Sequence, residues 1–452
     1  MKVPHDIFAK ILKINKDSYL VGGSVRDILL DKQPMDFDFA VKGSGIETAR
    51  KVADEIKGVF VLLSESDDEA RVVYKKIFSF DFKGYGRSIR EDLTKRDFTI
   101  NAVAIKLEDF IEGRQRFLDP FGGINHIKHR LIIPVSEDSF KKDPLRVLRA
   151  FRFMAETGFE IPFFIYHWME EVTFKNIAKE RIGYEFMRIV ETDNSYPVVS
   201  KMIEAGVLQK MFPRAERFFE DREILSHSLL VLHGTEKILA EGHFCQRFKD
   251  YFSNIEKRRK ALIKIAALFH DVAKPLTRIQ AEDGGYHFYG HDTKGAKIAE
   301  KLAKEDLRLP SKQAESIRSM VERHMHLHLI ATAPELTERA IRRFLRLTGE
   351  EAVGIMIIDL ADGFATAGHT EHLEYTIEKI LSIKEKDERE KDFKRLVTGY
   401  DLIELGIPPG PVYKILLEEL EELQREGKIK TKEEGIKVLK EMIEHERWKQ
   451  GV

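Results

Sequence analysis

The hydrophobic rhythm of the chain changes once. Up to about residue 125 the apolar positions fall in short alternating runs. Tyr19–Val21, Asp36–Val41, Val59–Leu63, Arg71–Tyr74 and Ile77–Phe82 are rich in β-branched and aromatic residues and predict strands. Segments 24–31 and 44–57 between them predict helices. From about residue 140 onward apolar residues recur at helical spacing, with few strand signals. The pattern predicts an α+β head followed by an all-helical remainder. Asn194-Ser195-Tyr196-Pro197 and Phe212-Pro213 mark turns, and Pro408-Pro409-Gly410-Pro411 marks a loop between two helices of a small terminal unit. Residues 384–395 form a charged run, most simply a solvated helix or linker.

At 452 residues the chain is too long for one ordinary core, so two to four domains are expected. The formal net charge of -1 excludes a globally basic nucleic-acid binder. Any RNA contact must use local patches. One lies in 126–152, where Lys128, Arg130, Lys141, Lys142, Arg146, Arg149 and Arg152 outnumber Glu137, Asp138 and Asp143. The single cysteine, Cys245, excludes an internal disulfide and fits a reducing cytoplasm. The Met1–Asp6 start has no signal-peptide form, and no apolar run is long enough to span a bilayer, so a cytoplasmic protein without membrane partners is expected.

The chemistry concentrates in Gly22-Gly23-Ser24-Val25-Arg26-Asp27 and Asp36-Phe37-Asp38-Phe39. A glycine pair lets the backbone approach a phosphate closely. Strand alternation puts Asp36 and Asp38 on one face and the phenylalanines on the other. Two adjacent carboxylates repel unless a cation lies between them, and hard oxygen ligands suit Mg²⁺ bridging to a triphosphate. Ile77-Phe78-Ser79-Phe80-Asp81-Phe82 also alternates, so a paired strand can bring Asp81 beside the pair as a third carboxylate; the plainer reading is a surface acid. Arg26, Arg96 and the glycine backbone would hold phosphates. These features point to metal-dependent nucleotidyl transfer.

Five motifs in order then carry a resemblance. They are Gly22–Asp27 with Asp36-Phe37-Asp38; Lys95-Arg96-Asp97-Phe98-Thr99-Ile100-Asn101-Ala102; Asp119-Pro120-Phe121-Gly122-Gly123; Asp143–Phe153; and Glu180-Arg181-Ile182. In this set the chain resembles the class II tRNA nucleotidyltransferases and bacterial poly(A) polymerases. The resemblance implies a polymerase-β-like head with a mixed sheet over 1–138, a helical neck selecting the nucleotide over 139–215, an HD body over 216–380 and a tRNA-binding tail over 381–452. It implies nucleotide contacts from Gly22, Gly23, Arg26, Arg96, Asp97, Asn101, Asp143, Arg146, Arg149 and Arg152. Lys95 and Lys142 depart from the family's Arg and Glu; lysine keeps the charge of Lys95's counterpart but loses the planar fork.

The family reads Asp143 and Arg146 as a protein template. Three residues apart at a helix start, they share a face. Asp143 can accept from the cytosine or adenine amino group while Arg146 donates to ring acceptors. Uracil and guanine set an oxygen against Asp143, a mismatch costing on the order of a few kcal/mol. Asp143 before Pro144 is also an ordinary helix start.

Relatives that add A carry a flexible loop after the third-carboxylate strand. Only Phe82–Glu91 separates Asp81 from Asp92, too short for that loop, so CC addition from CTP is expected, with a separate A-adding enzyme completing the end. Full CCA addition using ATP as well, or poly(A) synthesis, are the alternatives. A protein-modifying nucleotidyltransferase is a competitor of another class.

Leu268-Phe269-His270-Asp271 resembles an HD phosphohydrolase signature. His233, His270, Asp271, His291, His324 and Asp362 are the expected ligands, a set suited to Mn²⁺, Ni²⁺ or Fe²⁺. The domain serves either as a phosphohydrolase or as a scaffold for RNA. In the tail, Leu416, Leu417, Leu420 and Leu423 predict amphipathic helices that pack a core or touch tRNA, and the acidic run Glu418–Glu422 is expected to repel phosphate.

Overall fold

A computed structural model of the chain describes residues 5–241, 248–389 and 394–444. Cys245, Met1–Pro4 and residues 390–393 of the charged run lie outside the described residues.

The strands are β1 (Ser18–Val21), β2 (Asp36–Lys42), β3 (Val59–Ser64), β4 (Glu69–Tyr74), β5 (Phe78–Tyr85), β6 (Ala104–Lys106) and β7 (Phe117–Leu118). They form one mixed sheet in the order β3-β4-β5-β2-β1-β6-β7. β2 and β5 run parallel, and the other pairs are antiparallel. Alternation decides which face is buried. Phe37, Phe39, Phe80 and Phe82 line the apolar face, with Phe39 stacked on Phe82 at 5.0 Å and Phe37 on Phe80 at 5.8 Å between centroids. Helices His5–Ile14 and Gly45–Ile56 contribute Phe8, Ile11, Ala49 and Val52 to this core. Ser44 caps the second helix through the Glu47 N–H, and Asp68 fixes the same end by accepting from Gly45 N at 2.7 Å and Ile46 N at 3.1 Å.

The five expected strands are all present. β6 and β7 carry no sequence signal of their own, because two or three residues are too few to show a period. A single turn of helix, Ile89–Thr94, also fills part of the span after β5.

Beyond the head the described chain is helical except for a hairpin of Ile279–Gln280 and Tyr286–His287. Helix Leu145–Thr157 packs on Lys179–Val190, and Arg152 approaches Glu185 to 2.8 Å between them. Two compact units result: Met1–His324 with Phe364–Gly368, and Met325–Gly363 with His369–Val452. In the second unit, Leu416 and Leu420 are buried with Val397, Leu402 and Leu439, so these leucines pack a core. The acidic run there is not a bare repulsive face. Arg342 donates to Glu422 at 2.9 Å, and Arg339, Arg395 and Arg425 pair with Glu419 and Glu421. Among the described residues no helix is long and apolar enough to cross a membrane.

Candidate active site and a second metal-competent cluster

A cleft of about 870 Å³ opens beside the polar face of the sheet. Asp36 and Asp38 reach it from β2, and Gly22, Gly23 and Arg26 from the β1 end and the helix Gly22–Leu29. The glycine pair meets a carboxylate here: Gly23 N donates to Asp38 Oδ2 at 3.0 Å. Gly22 has φ +67, and a Cβ on it would lie 2.6 Å from the same oxygen. Both the conformation and the close approach therefore require glycine. Burial pushes the Asp38 carboxyl up to about 6; Arg96 opposes that rise and Asp81 adds to it.

Parallel pairing of β2 with β5 sets Asp81 directly opposite Asp38. Asp81 does not stand open beside the acid pair, however. Arg71 of β4 grips it with Nε on Oδ1 and Nη2 on Oδ2, each at 2.7 Å. Nothing in the local sequence marked Arg71; only the register of β4 against β5 brings it there.

The far wall comes from the second motif and the neck. Arg96 Nη2 donates to Asp92 at 3.0 Å. Arg26 Nη1 donates to Asn101 Oδ1 at 3.0 Å, and Asn101 Nδ2 donates to Asp97 Oδ1 at 3.1 Å. Asp97 also receives Arg149 Nε at 2.9 Å. Burial would raise Asp97, but Arg149, Asn101 and the Phe98 N–H outweigh it and hold the carboxyl below its usual range. Arg146 is fixed by Ser139 Oγ at 2.7 Å and the Lys95 carbonyl at 2.8 Å. Asp143 accepts from Leu145 N at 3.1 Å, so it caps the helix as well as lining the cleft. Pro144, rather than Asp143, occupies the formal cap position. Arg152 lines the same wall, while the Lys142 side chain is exposed.

β5 ends at Tyr85 and the next helix begins at Ile89, so only residues 86–88 connect them.

A second cluster lies in the same compact unit. His270 and Asp271 end the helix Lys257–Phe269, His324 follows Ser311–Arg323, and His291 starts His291–Lys301. Nδ1 of His270, His291 and His324 lies 2.7, 2.7 and 2.8 Å from the carbonyls of Ala267, Phe288 and Val321. With Nδ1 of each ring donating to its carbonyl, Nε2 is the atom that would be offered to a metal. His270 Nε2 lies 3.1 Å and His227 Nε2 3.7 Å from Asp271 Oδ2; His291 and His324 approach Oδ1 at 3.6 and 3.8 Å. Burial pushes His324 down to about 4, which leaves a neutral imidazole at pH 7. Burial would raise Asp271, yet the contact with His270 and the Lys274 ammonium hold it well below its usual range. These donors fit a divalent transition metal.

Two expected ligands fall outside these groups. His233 lies against Tyr196, with the rings tilted and their centroids 4.4 Å apart, and His227 of the same helix lies in the cluster. Six residues on a helix turn a side chain to another face. Asp362 is absent from the metal-competent groups found among the described residues.

The chain matches the Poly A polymerase head domain over residues 18–77 and 64–133, the probable RNA- and SrmB-binding site of polymerase A over 172–219, and the HD domain over 224–367. It is 29% identical to a CC-adding tRNA nucleotidyltransferase of Thermus thermophilus, covering 93% of this chain and 92% of that protein. It is 27% identical to an A-adding tRNA nucleotidyltransferase of Deinococcus radiodurans, covering 92% and 93%. The fold matches the Thermotoga maritima CCA-adding enzyme complexed with tRNA, with TM-score 0.65 at 20% identity over 97% of this chain and 95% of that one. From motif order, sheet and cleft to these matches, the chain belongs to the tRNA nucleotidyltransferase and bacterial poly(A) polymerase family, joined to an HD domain.

Proposed function

We propose that this protein adds two CMP residues from CTP to the 3′ end of immature tRNA, without a nucleic-acid template, releasing pyrophosphate. The observation that carries the CC reading is the connection of residues 86–88, which leaves no room for the loop of A-adding relatives. A separate enzyme would then add the terminal A.

Asp36 and Asp38 would hold Mg²⁺, whose hard-oxygen preference they fit. When bound, Mg²⁺ makes the RNA hydroxyl more acidic and stabilises the departing pyrophosphate. The protein's own residues do the rest. Arg96, Arg26 and the Gly23 backbone line the triphosphate side. Asp97 and Asn101 keep Arg26 and Arg149 aimed into the cleft. Asp143 accepts the base amino group and Arg146, braced by Ser139 and Lys95, donates to the ring acceptors. The brace fixes the donor before the base arrives, which favours selection over mere binding.

A second activity is supported by the His227, His270, Asp271, His291 and His324 cluster: metal-dependent hydrolysis of a phosphate ester.

The test supplies tRNA transcripts lacking the 3′ end, ending in C or ending in CC, each with one nucleoside triphosphate and Mg²⁺. The first two accept CMP and the third stays inert. Addition of A to the CC-ended transcript overturns CC specificity, and long A tails on unrelated RNA establish a poly(A) polymerase.

A further inference from the structure

The transfer proposed above leaves Arg71 without a role. Its position is distinctive. Arg71, Asp81 and Asp38 form one row across the adjoining strands β4, β5 and β2, each opposite the next in register. Two parallel N–H···O bonds to one carboxylate make the strongest and most directional ion pair available to arginine. They occupy Nε and Nη2. Among the described residues, Nη1 makes no hydrogen bond, and Arg71 lines the cleft while Asp81 does not.

The remaining cations of the cleft lie elsewhere in the topology. Arg26 follows β1, Lys95 and Arg96 precede β6, and the other lining arginines come from the neck helices. β1 and β6 lie on one side of β2; β5 and β4 lie on the other. Arg71 therefore stands on the β4–β5 side of the acid pair, and Arg26 on the β1 side. An in-line displacement needs that division, because attacking and departing oxygens approach phosphorus from opposite sides. Gln33, Pro34 and the half-exposed Met35 also line the cleft, and the Met35 carbonyl accepts from Ser79 N of β5 at 3.0 Å.

We infer that Arg71, seated by Asp81, holds a backbone phosphate at the 3′ end of the RNA acceptor. Asp81 is then a positioning residue acting through Arg71, in place of a third metal ligand. This rests on the transfer reading of the cleft.

The test uses the full chain with Arg71→Ala, Arg71→Lys and Asp81→Asn. Three equilibria are measured: a tRNA transcript lacking CCA by fluorescence anisotropy in Ca²⁺, CTP by calorimetry, and Mn²⁺ by electron paramagnetic resonance. Arg71→Ala and Asp81→Asn each weaken RNA binding by about tenfold, as for one charge-assisted hydrogen bond. CTP and Mn²⁺ affinities stay within about twofold, which also shows that the variants fold. Arg71→Lys recovers part of the loss, since the charge remains without the fork. Unchanged RNA affinity in Arg71→Ala overturns the inference. So does a loss confined to CTP, or an Asp81→Asn variant that loses Mn²⁺ while keeping RNA. A wild-type chain that binds neither tRNA nor CTP overturns the transfer reading itself, which separates the two failures.

Discussion

Asp38 carries a cost in the metal-free protein. Its carboxyl titrates near 6 in the fold, against an ordinary value of 3.8. The folded state thus holds a proton that the unfolded chain releases, so this contribution to stability is complete below 3.8 and is lost as pH rises through 6. Asp38→Asn is expected to raise the melting temperature of metal-free protein at pH 7.5 by a few degrees, with little gain at pH 4, while abolishing RNA extension. Calorimetric melts at both pH values check it. Mg²⁺ should stabilise the wild type at pH 7.5 and the variant hardly at all. The neighbouring Gly22 has a steric role. Gly22→Ala places a Cβ against Asp38 Oδ2, and displacing that carboxylate by about 1 Å should lower kcat on the order of 100-fold, read in single-turnover extension with CTP.

At the scale of elements, the sequence displayed whatever has a period. Asp-Phe alternation in β2 and β5 announced both the buried phenylalanine face and the row of acids, because a strand's period of two is unambiguous over six residues. It did not display pairings set by register or by long-range packing. Arg71 meets Asp81 only through the β4–β5 ladder. Asp97 meets Arg149 across 52 positions, and no local pattern says which of the neck arginines makes that bond. The histidines show the same limit. His227 and His233 share one helix, and nothing local to either says which of them faces Asp271. The Asp97–Arg149 bond ties the head to the neck, so its loss should be felt in stability. Arg149→Ala leaves a buried carboxylate uncompensated and is expected to cost about 3 kcal/mol in urea unfolding, with part recovered on adding Asp97→Asn.

Across the molecule, two clusters of different chemistry sit within one compact unit. Hard oxygens of Asp36 and Asp38 serve one, and imidazoles around Asp271 serve the other. Their ligands are distinct, so they should be separable. His324→Ala is expected to lower the bound transition metal, measured by inductively coupled plasma mass spectrometry, and to leave CMP addition unchanged. Equal loss of both would tie the clusters together. The order of motifs made the family legible from the first 190 residues. In the later chain, helical periodicity marks each buried face without naming its partner.

The central assignment is that Asp36 and Asp38 form the transfer centre. It is tested most directly by extending an end-labelled tRNA lacking CCA with CTP, ATP and Mg²⁺, comparing the wild-type chain with Asp36→Ala/Asp38→Ala. The account predicts two cytidines and a stop for the wild type, and no extension by the double variant although it still melts cooperatively. Extension by the double variant at the wild-type rate would contradict it.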